Sequence, residues 1–230
     1  MKKIGFIGAY DKTDFIMYVA KALTMLDKKV LVIDTTTMQK SKYVVPTINP
    51  TISYITDFED IDVAVGFNDI NEIGKFVGLQ DGAPEERWPY DYALYDIDSN
   101  EKLEIFDIYN ADKKYFVTAF DLYSLRRGVE ILENLDRTLE ITKILFSYVI
   151  TKEDEEYLNF LSLECKVKWN EYTMYFPISE ENDKVFEENQ RISSLKLRRL
   201  SGDYKESLSY VIQDILEEKH ISKILRIIKE

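Results

Sequence analysis

"MKKIGFIGAYDKTDF" (Met1–Phe15) decides how the rest of the chain is read. Lys2–Gly8 has the apolar content of a buried strand, and Phe15, Val19, Ala22, Leu23 and Leu26 recur at helical spacing. A short turn ending in Lys12-Thr13 joins them. A strand passing into a helix through Lys-Thr is the arrangement of a phosphate-binding loop, where Lys reaches the β- and γ-phosphates and the hydroxyl holds Mg²⁺. Such a loop also needs glycines, so that its backbone can curl and aim N–H groups inward. Phe6 stands at the first glycine position of G-x-x-x-x-G-K-[ST], and Asp11 stands immediately before Lys12. Asp tolerates a positive φ better than most residues, but its carboxylate points charge toward where phosphate would sit. Taken alone, the stretch is more often an ordinary strand-to-helix turn.

The surrounding chain supplies context. Its 230 residues suit one domain with a substantial core, and 45% hydrophobic with 31% charged residues is ordinary for a globular protein. The net charge of −12 argues against non-specific DNA binding, which relies on clustered Lys and Arg. The single Cys165 leaves no internal disulfide, and the lone His220 leaves no His-rich metal site and no triad built on a buried imidazole. No apolar run reaches the ~20 residues that span a bilayer, and Asp11 and Asp14 interrupt any signal-peptide pattern. A cytoplasmic protein is expected.

Strands alternate with helices along the chain. "KKVLVID" is a continuous apolar run, "IDVAVGF" alternates like a half-buried strand near an edge, and "YDYALYDID", "KYFVTAF", "ITKILFSYVI" and "TMYFP" continue the series. Helical patterns cover Ile70–Val77, Leu122–Leu135, "EDEEYLNFL", Glu181–Gln190 and Tyr204–Leu216. This rhythm predicts βαβ units, hence an α/β fold with a mainly parallel sheet and helices on both faces. In such sheets ligands bind at the carboxyl ends of strands. Asp34 ends "VLVID" and Asp96 lies at the end of "YALYDID", on the side of Lys12-Thr13. Carboxylates there suit Mg²⁺ binding and water positioning, although Asp also ends many strands merely to start a turn.

With Lys12-Thr13, Asp34 and Asp96 in order, the chain resembles the MinD/ParA family of deviant Walker-A ATPases, including the pilus-localisation proteins of the TadZ/CpaE type. The resemblance runs from Lys2 to about Leu216 and implies a P-loop NTPase-like three-layer α/β/α domain over 1–216, followed by an amphipathic C-terminal helix over 217–230. It implies that Gly8, Asp11, Lys12 and Thr13 hold ATP or ADP, that Thr13 and Asp96 hold Mg²⁺, and that Asp34 positions the attacking water if the site is active. The departures matter as much. Ile7 stands at the signature Lys, which in this family reaches the partner's phosphates. Ala9 and Asp11 replace loop glycines, Asp14 replaces a Thr or Ser, and Ser147-Tyr148 replace Asn-Arg. Losing one such preorganised charge costs about 10²–10³ in rate.

The resemblance therefore implies a dimeric scaffold or positioning protein with a degenerate P-loop and weak nucleotide binding, serving pilus or secretion-system assembly, partition or division. Its partners would be a second copy and a protein of the assembly machine, and the acidic charge counts against nucleic acid without forbidding one local basic patch. An active Mg-ATP-dependent ATPase of the same family is the alternative, and a receiver-like signalling domain is a third reading. In the tail, Ile221, Ile224, Leu225 and Ile228 form a stripe flanked by Lys219, Lys223, Arg226 and Lys229. Such a basic amphipathic end can lie on the inner face of a membrane, pack on its own domain or pair with another copy.

Overall fold

The computed structural model describes residues 1–47, 51–78, 87–149 and 151–217, with Arg226 and Ile228 beyond them. Among these residues eight strands form one sheet: β1 (Lys2–Ile7), β2 (Val30–Asp34), β3 (Tyr54–Phe58), β4 (Ile61–Val65), β5 (Tyr92–Ile97), β6 (Lys113–Ala119), β7 (Leu139–Ser147) and β8 (Val167–Pro177). Their order is β3-β4-β2-β5-β1-β6-β7-β8. Only the β3–β4 pair is antiparallel; the other neighbours run parallel. The helices are α1 (Thr13–Thr24), α2 (Ser41–Val44), α3 (Ile70–Phe76), α4 (Asn100–Ile105), α5 (Leu122–Glu133), α6 (Lys152–Leu161), α7 (Glu180–Arg191) and α8 (Gly202–Leu216).

Period-2 alternation divides the strand side chains between two cores. Ile4, Phe6, Val30 and Val32 face one layer, where Phe15, Val19, Leu23, Val185, Leu208 and Ile212 of α1, α7 and α8 cover them. Ile7, Leu31, Ile33 and Tyr95 face the other, under Ile73, Leu103, Leu125, Leu132 and Leu158 of α3 to α6. The three-layer arrangement expected from the strand–helix rhythm is thus the one observed. The many Phe and Tyr residues enter it as packed rings. Phe176 meets Phe15 and Phe146 at 5.0 Å and Tyr204 at 5.1 Å between ring centroids.

Two details depart from the sequence reading. "IDVAVGF" is not an edge, because β3, which follows a proline-bearing loop, pairs antiparallel outside β4. The last strand begins at Val167 rather than Thr173, and a bulge near Ile141 and Lys143 absorbs its irregular pairing with β7. The C-terminal segment expected as an amphipathic helix lies mostly outside the described residues. Of its stripe, Ile228 is buried within the α1/α8 core, and Arg226 is exposed. No helix among the described residues is long and apolar enough to cross a membrane.

Candidate functional site

Register brings the predicted residues to one level of the sheet. β1 sits between β5 and β6, Asp34 pairs with Asp96 across β2 and β5, and Ile7 pairs with Ile97. A crevice therefore opens where β1 gives way to its loop, above the carboxyl ends of β5 and β2. The loop leaves the sheet at Gly8, whose N–H donates to the Ile97 carbonyl at 3.0 Å. Gly8 has φ +147°, and a Cβ there would strike the Val117 carbonyl oxygen. Only glycine suits this point. Tyr10 then stacks on Phe146 of β7 at 4.8 Å, so the loop is held down by an aromatic ring contact.

Helices α3, α5, α6, α7 and α8 begin on Asp69, Asp121, Thr151, Ser179 and Ser201, each accepting from a first-turn amide. Helix α1 has Lys12 at that place and no cap from it. Asp11 supplies the acceptor instead, with Oδ1 taking the Thr13 N–H at 3.2 Å. Its Oδ2 lies 2.7 Å from Lys40 Nζ, and Lys40 also reaches Asp14 Oδ2 at 3.4 Å. Burial works against the Asp11 charge, but Lys40 and the Thr13 amide and hydroxyl outweigh it and hold this carboxyl below its ordinary range. Lys40 is held above its own ordinary value: burial opposes its charge, and Asp11 and Asp14 prevail.

Lys12 turns inward. Its Nζ donates to the Gly8 carbonyl at 2.7 Å and lies 2.7 Å from Asp96 Oδ1, the two side chains being 2% and 5% exposed. The contact with Asp96 is an ion pair rather than a well-aligned hydrogen bond, and Oδ1 has no other partner among the described residues. Burial pushes the Asp96 carboxyl up to about 7; Lys12 pulls it down, while Asp34 and Asp11 push it up.

Asp34 is brought close but used differently. Oδ1 accepts from the Thr36 amide at 3.0 Å and hydroxyl at 2.6 Å, and Oδ2 accepts from the Ser41 amide at 3.0 Å. Both oxygens thus shape the loop between β2 and α2. The cavity of about 230 Å³ beside the loop is lined by Gly8, Asp11, Lys12, Thr13 and Asp96, without Asp34. It adds residues that sequence reasoning missed: Thr36, Lys40 and Asp98. Asp98 lies two residues beyond Asp96, just past the end of β5, a spacing that could have flagged it. Lys40 had no such signal, since only the fold brings it to Asp11. Ile7, at the position of the signature Lys, is fully buried in the second core and faces away from this cavity.

The fit to a nucleotide with Mg²⁺ is incomplete. Lys12, Thr13 and Asp96 are gathered, but a carboxylate already serves the start of α1, and the cavity is below the ~300–1,000 Å³ usual for ligand sites. Among the described residues no group of three or more His, Cys, Asp or Glu side chains could hold a metal ion. At the carboxyl edge of the sheet, Met38 and Tyr43 line the cavity, and Ile52, Leu122, Tyr123, Tyr148 and Val149 stand on the loops and helix starts of the same edge, all seven between 62% and 87% exposed.

No family model matches the sequence, and no curated protein is similar to it. Solved structures do match. A chain of the MinC:MinD cell division protein complex from Aquifex aeolicus is 16% identical with a TM-score of 0.63, over 96% of this chain and 98% of that one. A McdA–ATP complex from Cyanothece is 13% identical with a TM-score of 0.60, over 96% and 98%. A ParA family ATPase from Chlorobium tepidum TLS is 14% identical with a TM-score of 0.54, over 100% and 98%. At these identities the likeness is one of fold, and the fold is MinD/ParA-like.

Proposed function

We propose that this chain is a MinD/ParA-like positioning scaffold that binds adenine nucleotide weakly and hydrolyses it little or not at all. One observation carries the reading. The lysine that would meet phosphate is buried in an ion pair with Asp96 and a bond to the Gly8 carbonyl, and an apolar Ile7 stands where a second cation is needed. Binding a triphosphate would require breaking that pair in a buried site. Pilus or secretion-system assembly, partition and division remain the settings that the family resemblance suggests.

The apolar rim supports pairing with a second copy without nucleotide. A stable interface needs about 800 Å² per partner. Seven large side chains, three of them tyrosines, approach that when each aromatic covers about 150–250 Å². The meeting of Lys12, Thr13 and Asp96 at one cavity favours the second reading, an active Mg-ATP-dependent switch. Titration calorimetry with Mg-ATP on the wild type and Lys12→Ala, with phosphate release measured beside it, separates the two. The scaffold reading expects dissociation constants above about 100 μM, no turnover, and a dimer by sedimentation that Tyr43→Glu with Tyr148→Glu dissociates. Micromolar binding abolished by Lys12→Ala, with turnover, would overturn it.

A further inference from the structure

We propose that Asp11 is a built-in anion taking the place of a phosphate at the start of α1, and that Lys40 is the cation a phosphate chain meets once that carboxylate is neutralised. This deepens the reading of the pocket as a weak nucleotide site and rests on it.

The start of a helix offers free N–H groups and a partial positive charge, which together attract an anion. In this pocket the anion comes from the loop itself. One Asp11 oxygen accepts from the first-turn amide of Thr13, and the other is paired with Lys40 at 2.7 Å. Lys40 precedes α2, far from the loop in sequence, and lines the same cavity as Lys12, Thr13 and Asp96. Its position is fixed from a second direction by Asp14, whose two oxygens accept from Gln190 Nε2 at 2.9 Å. Independently of the helix start, Lys12 and Asp96 are almost wholly buried against the cavity, so a polar, charge-bearing recess exists behind the Asp11 carboxylate. Asp11 itself is 56% exposed and stands at the mouth. A phosphate entering there meets a like charge first and finds Lys40 already paired. Two lysines converge on one recess, and the acidic side chain between them sets how well phosphate competes.

The test uses the full chain and titration calorimetry with ADP and with inorganic pyrophosphate. Asp11→Asn keeps an acceptor for the Thr13 amide and removes the charge. It is expected to bind ADP at least about tenfold more tightly than the wild type, which corresponds to about 1.4 kcal/mol. The gain should shrink as salt is raised from low to physiological strength. Adding Lys40→Met to Asp11→Asn should remove most of the gain. Asp11→Gly, which restores a loop glycine, provides a second variant if the asparagine form does not fold. Circular dichroism establishes that each variant is folded. Folded Asp11→Asn and Asp11→Gly proteins with wild-type affinity would overturn the inference, and so would a gain indifferent to Lys40→Met. Micromolar binding and turnover by the wild type would overturn the scaffold reading instead, leaving the effect of Asp11 to be read from the same ratio.

Discussion

Replacing Lys12 with methionine keeps a long unbranched side chain in place and removes the one cation paired with Asp96 among the described residues. In the wild type the Asp96 carboxyl is pushed from its ordinary value up to about 7, so the folded chain holds this proton more tightly than the unfolded chain does. Stability from this group is therefore complete below about pH 4. It declines as pH rises toward 7, by up to about 1.4 kcal/mol per unit, and levels off above that. Without Lys12 the carboxyl loses the charge that draws its pKa down, while burial, Asp34 and Asp11 still push it up. The decline then continues past pH 7 and adds about 2–3 kcal/mol by pH 9. That is less than the 3–5 kcal/mol typical of breaking a buried pair, because the carboxyl escapes by taking up a proton. Urea unfolding at several pH values from 6 to 9 reads the effect as a widening gap between the wild type and Lys12→Met. In Lys12→Met combined with Asp96→Asn neither charge remains, and the widening should vanish. A gap that stays constant with pH would refute the view that Lys12 serves Asp96 in the free protein.

Gly8→Ala should lower stability by about 3 kcal/mol or more, since its φ of +147° is strained for any side chain and the added Cβ meets the Val117 carbonyl; a thermal melt measures it. Glu155 concerns acid. Burial opposes its charge, but Tyr175, Lys143 and Thr173 donate to it and hold its carboxyl at about 2. A group with a depressed folded pKa contributes stability above its unfolded value and loses it as pH falls, here from about 4.5 toward 2. Its partial exposure limits that contribution to about 1–2 kcal/mol. Glu155→Gln should therefore unfold with a flatter acid limb in pH-dependent melts.

The parts legible in the sequence are those that a single residue type or period settles. The central strands β1, β2, β5 and β6 are buried on both faces and read as unbroken apolar runs, which fixed the α/β class before any geometry. The edges were harder. Val167–Tyr172 carries Lys168, Asn170 and Glu171 on a strand with one neighbour among the described residues, so its pattern is polar and its start carries no apolar signal. β3 has five residues and half-buried alternation, too little signal against the loop before it. At the site, the residue types at the strand ends are legible in the sequence, but not what each carboxylate bonds. Asp34 and Asp96 look equivalent in their strings. Asp34 binds Thr36 and Ser41 of its own loop, and Asp96 faces Lys12. The part played by Lys40 depends on packing between α2 and the loop, which no local period encodes.

The ring of Tyr10 lying on Phe146 has a consequence for what this protein responds to. A ligand stabilises a fold only to the extent that it binds the folded form, and it reshapes a loop only where its contacts favour one shape over another. A loop already fastened to the sheet by an aromatic contact, with its helix start served from within the chain, leaves little shape for a ligand to choose between. On the scaffold reading proposed above, the energy charge of the surroundings would have little hold on the molecule. Its influence would follow from dosage, set by how many copies are made and where they are delivered.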